Sequence, residues 1–153
     1  MMKISTYVKK EYCIMDLKAL TKEEAIAEIV ASFGTGGKVK DKNAFIAEIM
    51  EREALGSTGI GCGVAIPHAR TEGVEEFIIG FGRSKEGIDF NALDDSKVNL
   101  IFVMGSNPKD MNLYLRLLAE LAKNLMDENF SKTILQAESA EEVVSIFKKS
   151  VSR

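Results

Sequence analysis

The chain has no tryptophan, one histidine, two prolines and two cysteines among its 153 residues. Each scarcity closes off a class of function. His68 is the whole imidazole supply, so multi-histidine metal sites are excluded and imidazole chemistry has one address. Cys13 and Cys62 form no CxxC, zinc or disulfide spacing, which suits a reducing cytoplasm. No basic tract exceeds the pairs Lys9-Lys10 and Lys148-Lys149, and the net charge is −3, so a nucleic-acid partner is disfavoured. The longest strictly apolar run, Leu100 to Met104, falls far short of the roughly 20 residues that span a bilayer. The opening Met-Met-Lys-Ile-Ser-Thr lacks the apolar stretch of a signal peptide, and a cytoplasmic location is expected.

What is present describes an ordinary folded domain. Hydrophobic residues make up 46% and charged residues 28%, with both signs scattered, which excludes disordered and collagen-like classes. A chain of this size removes about 70% of its unfolded surface from water, enough for a core without staples. One domain over residues 1–153 is expected, with no internal repeat or linker.

Local signals alternate between helix and strand. Tyr12 to Leu17 suggests a short strand. Thr21-Lys-Glu-Glu24 has the form of a capping box, followed by Ala25, Ile26, Ile29 and Val30 at helical spacing and a stop at Phe33, before Gly34-Thr35-Gly36-Gly37. Asp41 is placed to cap a second helix carrying Phe45, Ile46, Ile49 and Met50. Strands are expected at Val64 to Ile66, Phe77 to Phe81 and, centrally, Val98 to Met104, with Asp94-Asp95-Ser96 as a turn. A helix after Pro108 carries the stripe Tyr114, Leu118, Leu121 and Leu125. Asn129 to Gln136 makes a short helix, and Ser139-Ala-Glu-Glu142 opens a terminal one with Val143, Val144, Ile146 and Phe147. Such alternation predicts an α/β three-layer sandwich, a mixed central sheet flanked by helices on both faces.

The most informative segment runs from Arg52 to Arg70, where Gly56, Gly59, Gly61 and Gly63 precede Pro67-His68. Glycines let backbone N–H groups converge on an anion, and Ser57 and Thr58 add hydroxyl donors. Pro67 fixes its own φ and keeps Ile66 extended, so the histidine arrives on a rigid backbone. Neutral imidazole is a competent nucleophile at pH 7, and a phosphoryl group is the anion best suited to it beside an arginine. The loop is no Walker A motif, because no GKS or GKT follows. A glycine-rich loop is also a common turn and a lone histidine a common surface residue. From these residue types alone the site has no named reaction.

Together Arg52-Glu53, Thr58-Gly59-Ile60-Gly61, Gly63 and Ala65-Ile66-Pro67-His68 resemble the signature of the mannitol/fructose-type enzyme IIA domains of the bacterial phosphoenolpyruvate-dependent sugar phosphotransferase system. The likeness extends through Gly87-Ile-Asp-Phe90, Asp94, Val98 to Met104 and Leu115 to Ala122. It implies that His68 is the phosphorylated nucleophile, through Nε2, with Nδ1–H donated to a backbone carbonyl. The donor would be the phosphohistidine of the carrier protein HPr or a paralogue. The acceptor would be a cysteine on a IIB domain, which serves a sugar entering through a membrane IIC protein. Arg52 would clamp the phosphoryl oxygens, and Ser57, Thr58, Gly59, Gly61 and Gly63 would complete a phosphate cradle. The scheme needs no cofactor and no metal, and Asp89, Asp94 and Asp95 read as turn chemistry rather than a magnesium site.

Two positions depart from the family pattern. Tyr114 stands where relatives often carry a second histidine, and is read either as a core aromatic or as a neutral donor to the phosphoryl group. Cys62 replaces a frequent asparagine and is read as a reactive thiol beside the phosphohistidine or, the favoured expectation, as a small buried residue. Glu53, near the middle of the second helix's apolar stripe, has no account from sequence. The alternative to a transport component is a regulatory, nitrogen-related IIA protein that binds targets according to its phosphorylation state. A hydrolase using His68 as general base lacks a nucleophile and an oriented carboxylate.

Overall fold

Two antiparallel strands form the axis of the molecule. In the computed structural model, which describes residues 3–34 and 37–150, β5 (Ile78–Ile88) pairs with β6 (Val98–Ser106), Phe81 opposite Phe102 and Ile79 opposite Met104. On the outer side of β5 lies β1 (Cys13–Ile14), parallel to it. On the outer side of β6 lie β3 (Val64–Ala65) and β4 (His68–Arg70), both parallel to it. The short β2 (Gly59–Gly61) completes the edge antiparallel to β3. The sheet is therefore mixed.

Period-two alternation sends side chains of β6 to two separate cores. Leu100, Phe102 and Met104 join a cluster with Leu117, Leu121, Phe130 and Phe147, from α3 (Met111–Met126), α4 (Glu128–Gln136) and α5 (Ala140–Ser150). Ile101 and Val103 face the other way, toward Ile26, Ile29, Phe45 and Ile49 of α1 (Lys22–Ala31) and α2 (Lys42–Leu55). Helices on both faces of a mixed sheet make the expected three-layer sandwich. Close approach of α1 requires glycine beneath it: a Cβ at Gly80 or Gly82 would lie 2.7 Å from the Ile29 side chain. No helix among the described residues is long and apolar enough to cross a membrane.

Helix starts follow their local chemistry. Thr21 Oγ1 accepts from Glu24 N–H, Asp41 from Ala44 N–H, and Ser139 from Glu142 N–H, while the Glu142 carboxylate accepts from Glu138 N–H. The first helix stops at Ala31, two residues before Phe33, and Thr35-Gly36 of the following loop lie outside the described residues. In α3 the fully buried stripe is Tyr114, Leu117, Leu121 and Leu125; Leu118, expected in the core, is half-buried.

Strand β5 is longer than the apolar run Phe77 to Phe81 suggests, because Arg83 continues it while buried. Its Nη1 donates to the carbonyls of Leu135 (3.0 Å) and Ala137 (2.6 Å) at the end of α4, and its Nε to Met15 O. Carbonyls left over at a helix C-terminus thus solvate a buried cation.

The cysteines differ from each other. Burial pushes the Cys13 thiol up to about 12, which makes it inert. Cys62, expected to be buried, is exposed at the tip of the β2–β3 hairpin with φ +57°, followed by Gly63 at +79°. Two successive left-handed residues are the type I′ hairpin geometry, which favours Asn-Gly. The turn would also account for the asparagine that the resemblance puts at this position. Cys62→Asn is expected to stabilise the fold by roughly 1 kcal/mol, since a Cβ-bearing residue other than asparagine or aspartate is disfavoured there. Urea unfolding checks this; an unchanged midpoint would remove the turn explanation.

Candidate active site

His68 is positioned by a strand interrupted at two residues, Ile66 and Pro67. Segments β3 and β4 run along the same side of β6, and Pro67, which has no N–H to offer, lies between them while its carbonyl accepts from Met104 N–H at 2.9 Å. The kink turns the imidazole back on its own backbone, where Nδ1 lies 2.7 Å from the Ile66 carbonyl. A carbonyl only accepts, so Nδ1 carries the proton and Nε2 keeps its lone pair. The imidazole pKa is lowered, chiefly by desolvation of the half-buried ring and further by Arg52 and Arg70. Opposing these, the Ile66 hydrogen bond and Glu53 favour the charged ring. Neutral imidazole prevails at pH 7.

Arg52 and Glu53 close α2 and do different work. Arg52 Nη1 donates to Gly56 O at 2.8 Å, fixing the side chain beside the helix end. Glu53 turns inward and is 5% exposed. Its carboxylate accepts from the Thr58 N–H and hydroxyl, and pairs with Lys22 Nζ at 3.1 Å. Glu53 is therefore a structural anchor, tying α1, α2 and the turn into β2 together.

His68, Arg52 and Tyr114 share one open cleft of about 950 Å³ between α2, β4 and the start of α3. Tyr114 is buried, its ring centroid 5.9 Å from that of His68 at an interplanar angle of 52°. Burial pushes its hydroxyl up to about 12, so the phenol stays neutral. Arg70 also lines the cleft, with its guanidinium carbon 5.4 Å from the centre of the Tyr114 ring. Sequence reading passed over Arg70; read as a strand, His68-Ala-Arg70 puts residues 68 and 70 on one face. Glu48 and Glu51 contribute carboxylates to the wall, Glu48 accepting from Thr71 Oγ1 at 3.2 Å.

The glycine-rich residues lie elsewhere. Ser57 Oγ donates to Phe90 O and accepts from Gly59 N–H, and the Thr58 hydroxyl is committed to Glu53. Gly59, Gly61 and Gly63 belong to the β2–β3 hairpin and abut Ala92, Asp94 and Asn99 respectively. None of these five residues lines the His68 cleft. Their glycines serve the hairpin: a Cβ on Gly59 would meet Ala92 at 2.8 Å, and Gly63 needs its left-handed φ. Asp94 makes turn bonds, accepting from Ser96 N–H and Oγ and from Cys62 N–H.

Residues 6–150 match the family model described as "Phosphoenolpyruvate-dependent sugar phosphotransferase system, EIIA 2". The chain is 37% identical over 145 residues to a fructose-specific EIIABC component of Bacillus subtilis (strain 168), covering 95% of this chain and 23% of that much longer protein. It is 35% identical to a fructose-specific EIIA component of Haloferax volcanii, covering 94% of this chain and 93% of that one. The crystal structure of nitrogen regulatory protein IIA-Ntr from Neisseria meningitidis superposes with a TM-score of 0.88 at 28% identity, over 94% of this chain and 98% of that chain.

Two measurements probe this site. Being the only imidazole, His68 gives one pair of ring C–H resonances in NMR, expected to titrate with a single midpoint below about 6.5 that moves upward in Arg52→Ala. A midpoint above that value would contradict the buried, arginine-flanked setting. Glu53→Gln should cost about 2–3 kcal/mol of unfolding free energy, because it leaves Lys22 without its counter-charge. Wild-type stability in that variant would show Glu53 to be no anchor.

Proposed function

Because this chain belongs to the type 2 enzyme IIA family of the phosphoenolpyruvate-dependent sugar phosphotransferase system, we infer that His68 Nε2 is the atom that receives and passes on a phosphoryl group. The observation carrying this reading is the Nδ1 contact to Ile66 O, which leaves a single nucleophilic nitrogen in a cleft flanked by Arg52 and Arg70. Transfer through a loose transition state places charge on three equatorial oxygens, so positioning and electrostatics supply most of the catalysis. Arg52, with Nη1 held by Gly56 O, presents the rest of its fork to those oxygens. The Ser57 to Gly63 segment supports the site by shaping the hairpin that leads into β3.

The donor is proposed to be the phosphohistidine of HPr or a paralogue, and the acceptor a IIB domain serving a membrane IIC protein. Exposed Leu55, Met111 and Leu115 on the cleft lining favour donors and acceptors carried on proteins over free small molecules. Identity of 37% and 35% to fructose-specific components favours uptake of a fructose- or mannitol-like sugar over the regulatory role named for the Neisseria protein. A cytoplasmic location follows from those partners.

Mixing the protein with enzyme I, HPr and phosphoenolpyruvate should add one acid-labile phosphate to the chain by intact-mass spectrometry. His68→Ala should accept none while keeping its circular dichroism spectrum. Phosphate persisting on that variant would place the acceptor elsewhere. In the wild type, acceptance should be flat from pH 7 to 8 and fall only as acid protonates Nε2, below the ordinary imidazole range.

A further inference from the structure

Tyr114 and Arg70 form a unit that the family signature does not contain. The phenol ring is buried, with the imidazole centroid 5.9 Å and the Arg70 guanidinium carbon 5.4 Å from its centre. Arg70 is exposed on β4, two residues after His68, so both side chains leave the strand toward the same cleft. Among the described residues its guanidinium lies over the Tyr114 ring and acts on His68 through charge, and it makes no ion pair with Glu48 or Glu51 of the same wall. A cation–π contact holds a guanidinium over an aromatic face without using up its N–H donors. An oriented, charged donor with nothing to bind, beside a nucleophile, calls for an anion.

We propose that Arg70 is a second catalytic arginine of this site, held in place by its cation–π contact with the Tyr114 ring. Tyr114 is then a positioning residue, acting through its ring rather than its hydroxyl. The inference rests on His68 accepting a phosphoryl group. As Nε2 forms its bond to phosphorus, the donor nitrogen–phosphorus bond breaks and its electron pair returns to the donor nitrogen. The unit transferred is PO₃⁻. His68 keeps its Nδ1 proton on Ile66 O, and no proton need move. The resulting phosphoryl group carries two negative charges, and Arg52 and Arg70 supply one positive charge each.

Phosphoramidate separates chemistry from docking, because it delivers the same unit, with ammonia leaving, and has no protein surface. Labelling of His68 by potassium phosphoramidate and by phosphorylated HPr is followed by intact mass in wild type, Arg70→Ala, Arg70→Lys, Tyr114→Phe and Tyr114→Leu. Arg70→Ala should slow labelling from both donors by about tenfold to a hundredfold. Arg70→Lys should recover part of the loss, since it keeps charge without the planar guanidinium. Tyr114→Phe keeps the ring and should stay within about twofold of wild type. Tyr114→Leu should approach Arg70→Ala, and combining the two should add nothing further. If Tyr114→Leu does not fold, the exposed Arg70 variants and Tyr114→Phe still decide the matter. A wild-type rate for Arg70→Ala with phosphoramidate overturns the proposal, and slowing with HPr alone would make Arg70 a docking residue. A Phe variant as slow as the Leu variant would make the hydroxyl the active group and likewise overturn it. Absence of any label on wild-type His68 is a different result, which would sink the phosphocarrier reading itself.

Discussion

A carboxylate that is 5% exposed must be matched by donors or it will not stay ionised in the fold. Glu53 meets that demand by drawing in three donors from different parts of the chain: the Lys22 ammonium, the Thr58 N–H and the Thr58 hydroxyl. Satisfying it fixes where α1 sits on α2 and where the chain leaves α2 toward β2. Lys22 is held further by the face of Phe90, 5.3 Å away, at the end of the turn that follows β5. Arg52, the next residue back on the same helix, points out to the cleft because Glu53 points in. The adjacent Arg-Glu pair divides the labour, one charge used for architecture and its neighbour left for chemistry. Removing the anchor would disturb the clamp even though the two carboxylate oxygens never reach the cleft.

The cleft resolves a conflict built into histidine phosphocarriers. The free imidazole must be neutral to attack, while the product carries two negative charges that need cations nearby. Desolvation and two guanidiniums both disfavour imidazolium. On the proposed reading the same guanidiniums would favour the phosphoryl group once it arrives. One fixed field therefore suits reactant and product, and no side chain has to change protonation between them. The Nδ1–Ile66 hydrogen bond pulls the other way, favouring imidazolium, but its geometric role in exposing Nε2 requires it. It is also the bond that a charge-sharing phosphoimidazole would strengthen.

Much of this was legible in residue order. Asp41, Thr21 and Ser139 announce helix starts because N-capping is a local hydrogen bond, settled within four residues. Central strand β6 is legible because both of its faces are buried and its apolar run is unbroken. What escaped depends on contacts distant in sequence. Arg83 reads as the end of a strand until the carbonyls of Leu135 and Ala137, some fifty residues on, are seen to receive it. The glycines from Gly59 to Gly63 read as an anion cradle because an anion loop and a I′ hairpin demand the same backbone freedom. Only the residues packed against the hairpin, Ala92 of the β5–β6 connection and Asn99 of β6, tell them apart. Arg70 was obscured by a different ambiguity: three residues after a proline are too few to show period-two alternation.

Replacing a second imidazole by Tyr114 changes what the cleft can sense. Two histidines facing each other titrate as a coupled pair, so the charge of the site would vary with pH through the neutral range. Tyr114, with its hydroxyl pushed up to about 12, contributes no charge at any pH the protein would meet in that range. His68 is held neutral by its surroundings, and the two arginines are fixed cations. With the free imidazole held neutral near pH 7, arrival of a phosphoryl group is the event that changes the charge His68 presents to the cleft. A partner reading this surface by charge would therefore meet the phosphoryl group against a neutral imidazole and a neutral phenol, rather than against a titrating histidine pair.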